Sequence, residues 1–111
     1  DVGNSPLEYT RARVAGRVLV STTTNGTQAL LRAQGAARVL IGAFTNLGAI
    51  VDTIVDTIVD ALVPDRPGGA SDSRVVTLLC AGRSGEEALE DTMCAGAIAT
   101  ELWRAPIPSG V

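Results

Sequence analysis

The chain has 111 residues, of which 46% are hydrophobic and 19% charged, and its formal net charge is −3. These values are typical of a single globular domain and argue against a disordered chain. The uncharged apolar runs are shorter than the roughly 18 residues that a membrane-spanning helix needs, so no membrane span is predicted. No cluster of basic residues is present, and nucleic acid is therefore not an expected partner.

The sequence contains no histidine and no lysine, and its nine basic residues are all arginine. This excludes Ser-His-Asp, Cys-His and lysine-based catalysis from the chain by itself. The groups that remain for proton transfer or metal binding are Asp, Glu, two cysteines and Tyr9. If the chain is enzymatic, a hard metal ion held by oxygen ligands is the natural source of catalytic power.

Cys80 and Cys94 give only a weak case for a disulfide bond. Cys80 ends an apolar run, and Cys94 lies among Ala, Met and Gly. This setting predicts reduced, buried thiols and a cytoplasmic location.

The first predicted strand is Arg17–Ser21, whose nearly continuous apolar character suits a strand covered on both faces. The loop Thr22–Thr27 (TTTNGT) follows, and helix-forming residues then continue to Gly35. Asn25-Gly26 is also a good hairpin turn, but the residues after it do not alternate between polar and apolar. The pattern therefore favours a helix.

The second predicted strand is Arg38–Gly42, followed by a helix from Thr45 in which apolar residues recur at helical spacing. Asp52, Asp56 and Asp60 lie one turn apart along this helix. Their spacing resembles a metal site, but a solvated acidic stripe is the favoured interpretation.

A polar loop, residues 64–73, separates this helix from the third predicted strand, Arg74–Cys80. The loop Ala81–Gly85 (AGRSG) comes next, and a helix is expected from about Glu86 to Trp103, with Ser84 and Glu87 as a capping box.

The order β-α-β-α-β-α predicts a three-layer α/β/α fold with a largely parallel sheet, as one α/β domain or part of one. In such a sheet the loops after the first and third strands open toward the same edge, where ligands bind. Thr22–Thr27 and Ala81–Gly85 are therefore expected to lie close together.

Thr22–Thr27 combines hydroxyl groups, the Asn25 amide and Gly26 at a helix start, which suits the binding of a phosphate. An ordinary Thr- or Asn-capped helix is the open alternative. In the second loop, Arg83 suits a bidentate contact with a phosphate or sulfonate. Glu90 and Asp91, before an uncharged helical run, are candidate ligands for Mg²⁺ or for an attacking water.

Five segments together resemble, in order, the 2-phosphosulfolactate phosphatase (ComB-like) family. They are GNSPLEYT, VLVSTTTNGTQAL, RVLIGAFTN, LLCAGRSG and ALEDTMCAGAI, and they cover the chain from Asn4 to Gly96. The resemblance implies an α/β/α fold and Mg²⁺-dependent hydrolysis of 2-phosphosulfolactate to sulfolactate, a step of coenzyme M biosynthesis.

The resemblance also assigns roles. The residues expected to bind the substrate and its phosphate are Asn4, Ser5, Thr24, Asn25, Gly26, Thr27 and Arg83, with Thr22 and Thr23 assisting. Glu90 and Asp91 are expected to act as the catalytic and metal-binding carboxylates. Family members are about twice as long and carry a further motif upstream, so the chain is expected to be a central portion. Assembly into a homo-oligomer is left open, and the alternative function is a noncatalytic nucleotide- or anion-binding α/β module.

Overall fold

The computed structural model describes Gly3, residues 5–62 and residues 75–106. This part of the chain contains four α-helices: α1 (Arg11–Val14), α2 (Gly26–Arg32), α3 (Leu47–Leu62) and α4 (Leu89–Arg104). Two short 3₁₀ helices, Pro6–Glu8 and Phe44–Asn46, precede α1 and α3. Asn4 and the predicted polar loop 64–73 lie outside the described residues.

The core lies between α3 and α4. Ile50 and Ile54 of α3 and Ile98 of α4 are buried, and the apolar side chains packed around them are Leu47, Val51, Ile58, Cys94 and Leu102. These positions recur every three or four residues, so one face of each helix is apolar. The helix predicted from the spacing that begins at Thr45 is confirmed, as is the exposure of Asp52, Asp56 and Asp60.

Local hydrogen bonds fix the ends of these two helices. Before α3, the Ala43 N–H donates to Asn46 Oδ1 over 2.7 Å, and Asn46 Nδ2 donates to the Ile41 carbonyl over 3.0 Å. At the end of α4 the Ala105 N–H donates to the Leu102 carbonyl over 3.2 Å. Pro106 then prevents continuation because proline lacks an N–H.

The predicted α/β/α fold with a parallel sheet is wrong for the described residues, which contain no strand or sheet. Arg17–Ser21, Arg38–Gly42 and residues 75–80 lie outside the helices, and Arg74 is not among the described residues. Val18 and Val20 are 93% and 95% exposed. Apolar, β-branched composition favours a strand only where partners and a covering layer exist, and no described backbone hydrogen bond joins these segments.

The predicted start of the last helix is also wrong. The helix α4 begins at Leu89, after Ala88, and no side chain caps it. Ser84 has a φ of 54° and lies in a tight turn, so it cannot form the expected capping box with Glu87. Gly82 and Gly85 flank the Arg83-Ser84 pair, and they allow the chain to turn where the sequence suggested a helix entry.

Both cysteines are free, as the sequence predicted. Cys94 is half-buried against the core, but Cys80 is exposed, so the expected burial is wrong for Cys80. None of the helices in the described part of the chain is both long and apolar enough to cross a membrane.

Candidate functional site

The Thr22–Thr27 loop is closed by the hydroxyl of Thr27. Thr27 Oγ1 accepts a hydrogen bond from the Thr23 N–H over 3.0 Å and lies 3.4 Å from Thr22 Oγ1. A Cβ at Gly26 would lie 2.7 Å from Thr23 Oγ1. Gly26 is the first residue of α2 and does not have a positive φ. A glycine at this position therefore allows the close approach of Thr23, and it does not serve to provide a left-handed backbone conformation.

Asn25 joins this loop to a distant part of the chain. It immediately precedes α2, but its side chain makes no capping hydrogen bond. Its Oδ1 instead accepts a hydrogen bond from the Ser84 N–H over 3.2 Å, between residues 59 positions apart. The simple capping alternative therefore does not describe the Asn25 side chain. The expected closeness of Thr22–Thr27 and Ala81–Gly85 is confirmed by this hydrogen bond, although the described residues contain no sheet.

The Ala81–Gly85 loop is a tight hairpin-like turn. The Arg83 N–H donates to the Glu86 carbonyl over 2.9 Å, and the Glu86 N–H donates to the Arg83 carbonyl over 3.0 Å. Ser84 and Gly85 between them have φ values of 54° and 86°. Positive φ at both central residues is the pattern of a type I′ turn, a common two-residue connection in hairpins.

The start of α4 holds the same turn from the other side. Asp91 Oδ2 accepts a hydrogen bond from the Gly82 N–H over 2.7 Å, and this contact is partly buried. Glu90, the neighbouring residue in the first turn of α4, is exposed. Successive helical residues point about 100° apart, so Glu90 and Asp91 face different directions.

The structure thus brings together some of the predicted site residues and not others. Asn25, the turn that carries Arg83, and Asp91 are linked by hydrogen bonds, with Glu90 beside Asp91. Ser5 is exposed, and its carbonyl accepts a local hydrogen bond from the Glu8 N–H over 3.0 Å. No described hydrogen bond brings Ser5 to the two loops.

Sequence reasoning missed the partners that fix the turn. It did not identify the Gly82 N–H as the donor to Asp91. It identified Ser84 as a helix cap, whereas the Ser84 N–H is the donor to Asn25. The available signal was the pair of glycines around Arg83-Ser84, which is also a turn pattern.

The described residues could hold magnesium only in an open site, in which water and substrate supply most of the ligands. They contain no cluster of three or more Cys, Asp or Glu side chains placed to enclose a metal ion. Mg²⁺ needs fewer protein ligands, since it commonly keeps several waters and binds one or two carboxylates together with phosphate oxygens. The exposed Glu90 carboxylate suits that arrangement. The metal-binding role of Asp91 stays a prediction. One of its oxygens already accepts a hydrogen bond from the Gly82 N–H.

A second concave surface, between α3 and the end of α4, does not compete as a phosphate site. Its lining includes Asp52, Asp56 and Glu101, and its arginine, Arg104, is paired with Glu101 over 3.1 Å. Three carboxylates and one arginine leave this surface with two net negative charges, which repel an anion. The two linked loops are therefore the candidate anion site among the described residues.

Comparison with known proteins identifies the family. The sequence model of the 2-phosphosulpholactate phosphatase family matches residues 1–109. The chain belongs to this family. A probable 2-phosphosulfolactate phosphatase of Symbiobacterium thermophilum is 45% identical over 98 residues, which are 86% of this chain and 34% of that protein.

Other relatives of the same name give a similar result. The protein of Thermotoga petrophila is 34% identical over 110 residues, covering 99% of this chain and 41% of the relative. That of Synechococcus sp. is 41% identical over 102 residues, covering 92% of this chain and 36% of the relative. The chain thus spans 34% to 41% of the length of these relatives. No solved structure matches it.

Proposed function

We propose that the full-length protein containing this chain is a phosphoric monoester hydrolase that converts 2-phosphosulfolactate and water into sulfolactate and inorganic phosphate. The match of the phosphatase family to residues 1–109 carries this proposal, and the names of the relatives support it. The link between Asn25 and Ser84 adds a structural argument, because it joins the two loops that the sequence singled out for anion binding.

The chemistry of the two loops suits a substrate with a phosphate and a sulfonate. Arg83 is exposed on a hydrogen-bonded turn, and its guanidinium group can donate two parallel hydrogen bonds to one anionic group. The hydroxyls of Thr22, Thr24 and Thr27, in the adjoining loop, can donate hydrogen bonds to the same anion. In this proposal these groups bind and orient the phosphate, and donors placed around the phosphoryl oxygens stabilise the charge that develops there.

Magnesium is proposed as the cofactor, with the Glu90 carboxylate as its protein ligand in this chain. A bound divalent cation would polarise the phosphoryl group and lower the pKa of a coordinated water. The roles of Asn4 and Ser5, a cytoplasmic location and a homo-oligomeric state stay predictions from the sequence.

Replacement of Arg83 tests the anion-binding role. We expect Arg83→Ala to lower kcat/KM for 2-phosphosulfolactate by roughly tenfold to a hundredfold, because a hydrogen bond to a charged group contributes about 1.5–3 kcal/mol. Phosphate release by the full-length protein is the measurement. Arg32→Ala, at the exposed end of α2, is the matched control and should change kcat/KM little.

Removal of metal tests the rest of the proposal. Dialysis against EDTA should abolish phosphate release, and added MgCl₂ should restore it. Full activity in EDTA would contradict the magnesium proposal.

Binding of 2-phosphosulfolactate or a nucleotide in calorimetry, with no phosphate release in MgCl₂, would instead support a noncatalytic anion-binding module.

A further inference from the structure

Three successive backbone amides of the Ala81–Gly85 turn donate to acceptors of the protein itself. The Gly82 N–H donates to Asp91 Oδ2 over 2.7 Å, and the Arg83 N–H to the Glu86 carbonyl over 2.9 Å. The Ser84 N–H donates to Asn25 Oδ1 over 3.2 Å. These amides are therefore engaged and do not form a nest for an anion. The Arg83 side chain is the cationic group of this turn, and it is exposed and can bind an anion.

The backbone conformation of this turn depends on these hydrogen bonds. Gly82, Ser84 and Gly85 all have positive φ, and Ser84 is the one non-glycine residue in the described chain with this conformation. A side chain makes the left-handed region unfavourable, so surrounding contacts must hold it. The hydrogen bond from the Gly82 N–H to Asp91 is the shortest of the three and has a carboxylate acceptor, which makes it the strongest.

The location of Asp91 suits this contact. It is the third residue of α4, where the N-terminal end of the helix favours a negative charge. The α4 helix is anchored by Ile98 in the core, so Asp91 lies on a rigid element. A hydrogen bond from a turn to a rigid helix transfers that rigidity to the turn.

We propose that Asp91 is a positioning residue that fixes the Ala81–Gly85 turn against Asn25, so that Arg83 is held ready for the anionic group of the substrate. This inference rests on the proposed phosphatase function. It differs from the metal-ligand role because its essential requirement is an acceptor oxygen at residue 91, which the negative charge strengthens but which an amide can also supply. Loss of the acceptor lowers the fraction of molecules with the turn in place, and the apparent affinity for substrate falls by that fraction.

Two substitutions separate the two roles. Asp91→Ala removes the acceptor and the charge. Asp91→Asn keeps an acceptor oxygen of the same reach and removes only the charge. For the full-length protein in excess MgCl₂, we expect Asp91→Ala to raise KM for 2-phosphosulfolactate by about tenfold or more, with a smaller change in kcat. Asp91→Asn should recover most of that loss, and Asp56→Ala, on the exposed face of α3, serves as the control.

A second measurement does not depend on activity. The Gly82 amide signal in a ¹⁵N-correlated NMR spectrum should move upfield and exchange faster with solvent in Asp91→Ala, and should stay near its wild-type position in Asp91→Asn. An Asp91→Asn protein as impaired as Asp91→Ala would overturn the proposal in favour of a charge requirement. So would an unchanged Gly82 amide in Asp91→Ala. If the wild type releases no phosphate, the proposed function fails, and the Gly82 amide still decides the positioning role.

Discussion

Gly82 is the position in the Ala81–Gly85 turn where an added side chain does the most direct damage. Its φ is +69°, and a Cβ there would lie 2.5 Å from the Glu86 carbonyl oxygen, which is backbone and cannot rotate away. We expect Gly82→Ala to lower the free energy of unfolding by about 1–3 kcal/mol, because strain and the collision add. Urea denaturation followed by circular dichroism measures this change.

Gly96 provides the opposite control for the same substitution. It lies inside α4, and a Cβ there would meet no atom within 4 Å. Gly96→Ala should raise the free energy of unfolding by about 0.5–1 kcal/mol, since alanine loses less backbone entropy in a helix. Equal destabilisation by both substitutions would contradict this account of Gly82.

At the residue scale, the sequence predicted which segments lie near each other but not the hydrogen bonds that join them. It placed Asn25 and the Arg83 turn at one site, and the hydrogen bond from Ser84 to Asn25 confirms their closeness. It could not show that Asn25 faces the turn instead of capping α2, because both uses require the same side-chain oxygen. Nor could it show that Asp91 accepts from Gly82, since the two residues belong to different elements nine positions apart.

At the scale of elements, the sequence pattern predicted helices better than strands. The spacing of apolar residues predicted α3 well, since a helix satisfies its own backbone hydrogen bonds and needs only one buried face. The strands failed because a strand's hydrogen bonds come from partners, and the sequence of Arg17–Ser21 or Arg38–Gly42 does not show whether a partner is present.

The packing of α3 against α4 predicts a clear difference between two substitutions on α4. Ile98 is 5% exposed between Ile50 and Ile54, whereas Leu89 is 73% exposed at the start of the helix. Ile98→Ala should lower the free energy of unfolding by about 2–4 kcal/mol, through lost burial and the cavity left behind. Leu89→Ala should change it by less than about 0.5 kcal/mol. Urea denaturation again gives both values, and similar costs at the two positions would contradict the assigned core.

For the whole molecule, a small core is combined with much exposed apolar surface. The buried apolar residues among those described are Ile50, Ile54, Ala88 and Ile98, whereas Val18, Val20 and Val75 are at least 80% exposed. The radius of gyration is 16.4 Å, against about 13 Å for a compact domain of 100 residues. The stability of the described part is therefore concentrated where α3 and α4 meet.

This uneven distribution predicts a matching pattern of amide hydrogen exchange for the 111-residue chain. The amides of Val18, Leu19 and Val20 have no described backbone acceptor, so they should exchange nearly as fast as those of an unfolded peptide. The amides of Ile54 and Ile98 lie inside helices that pack on each other, and these should exchange only through opening of the α3–α4 pair. Exchange followed by NMR resolves the two groups. Strong protection of Val18–Val20 would show that they acquire hydrogen-bond partners in solution, and a core confined to α3 and α4 would then be insufficient to describe the chain.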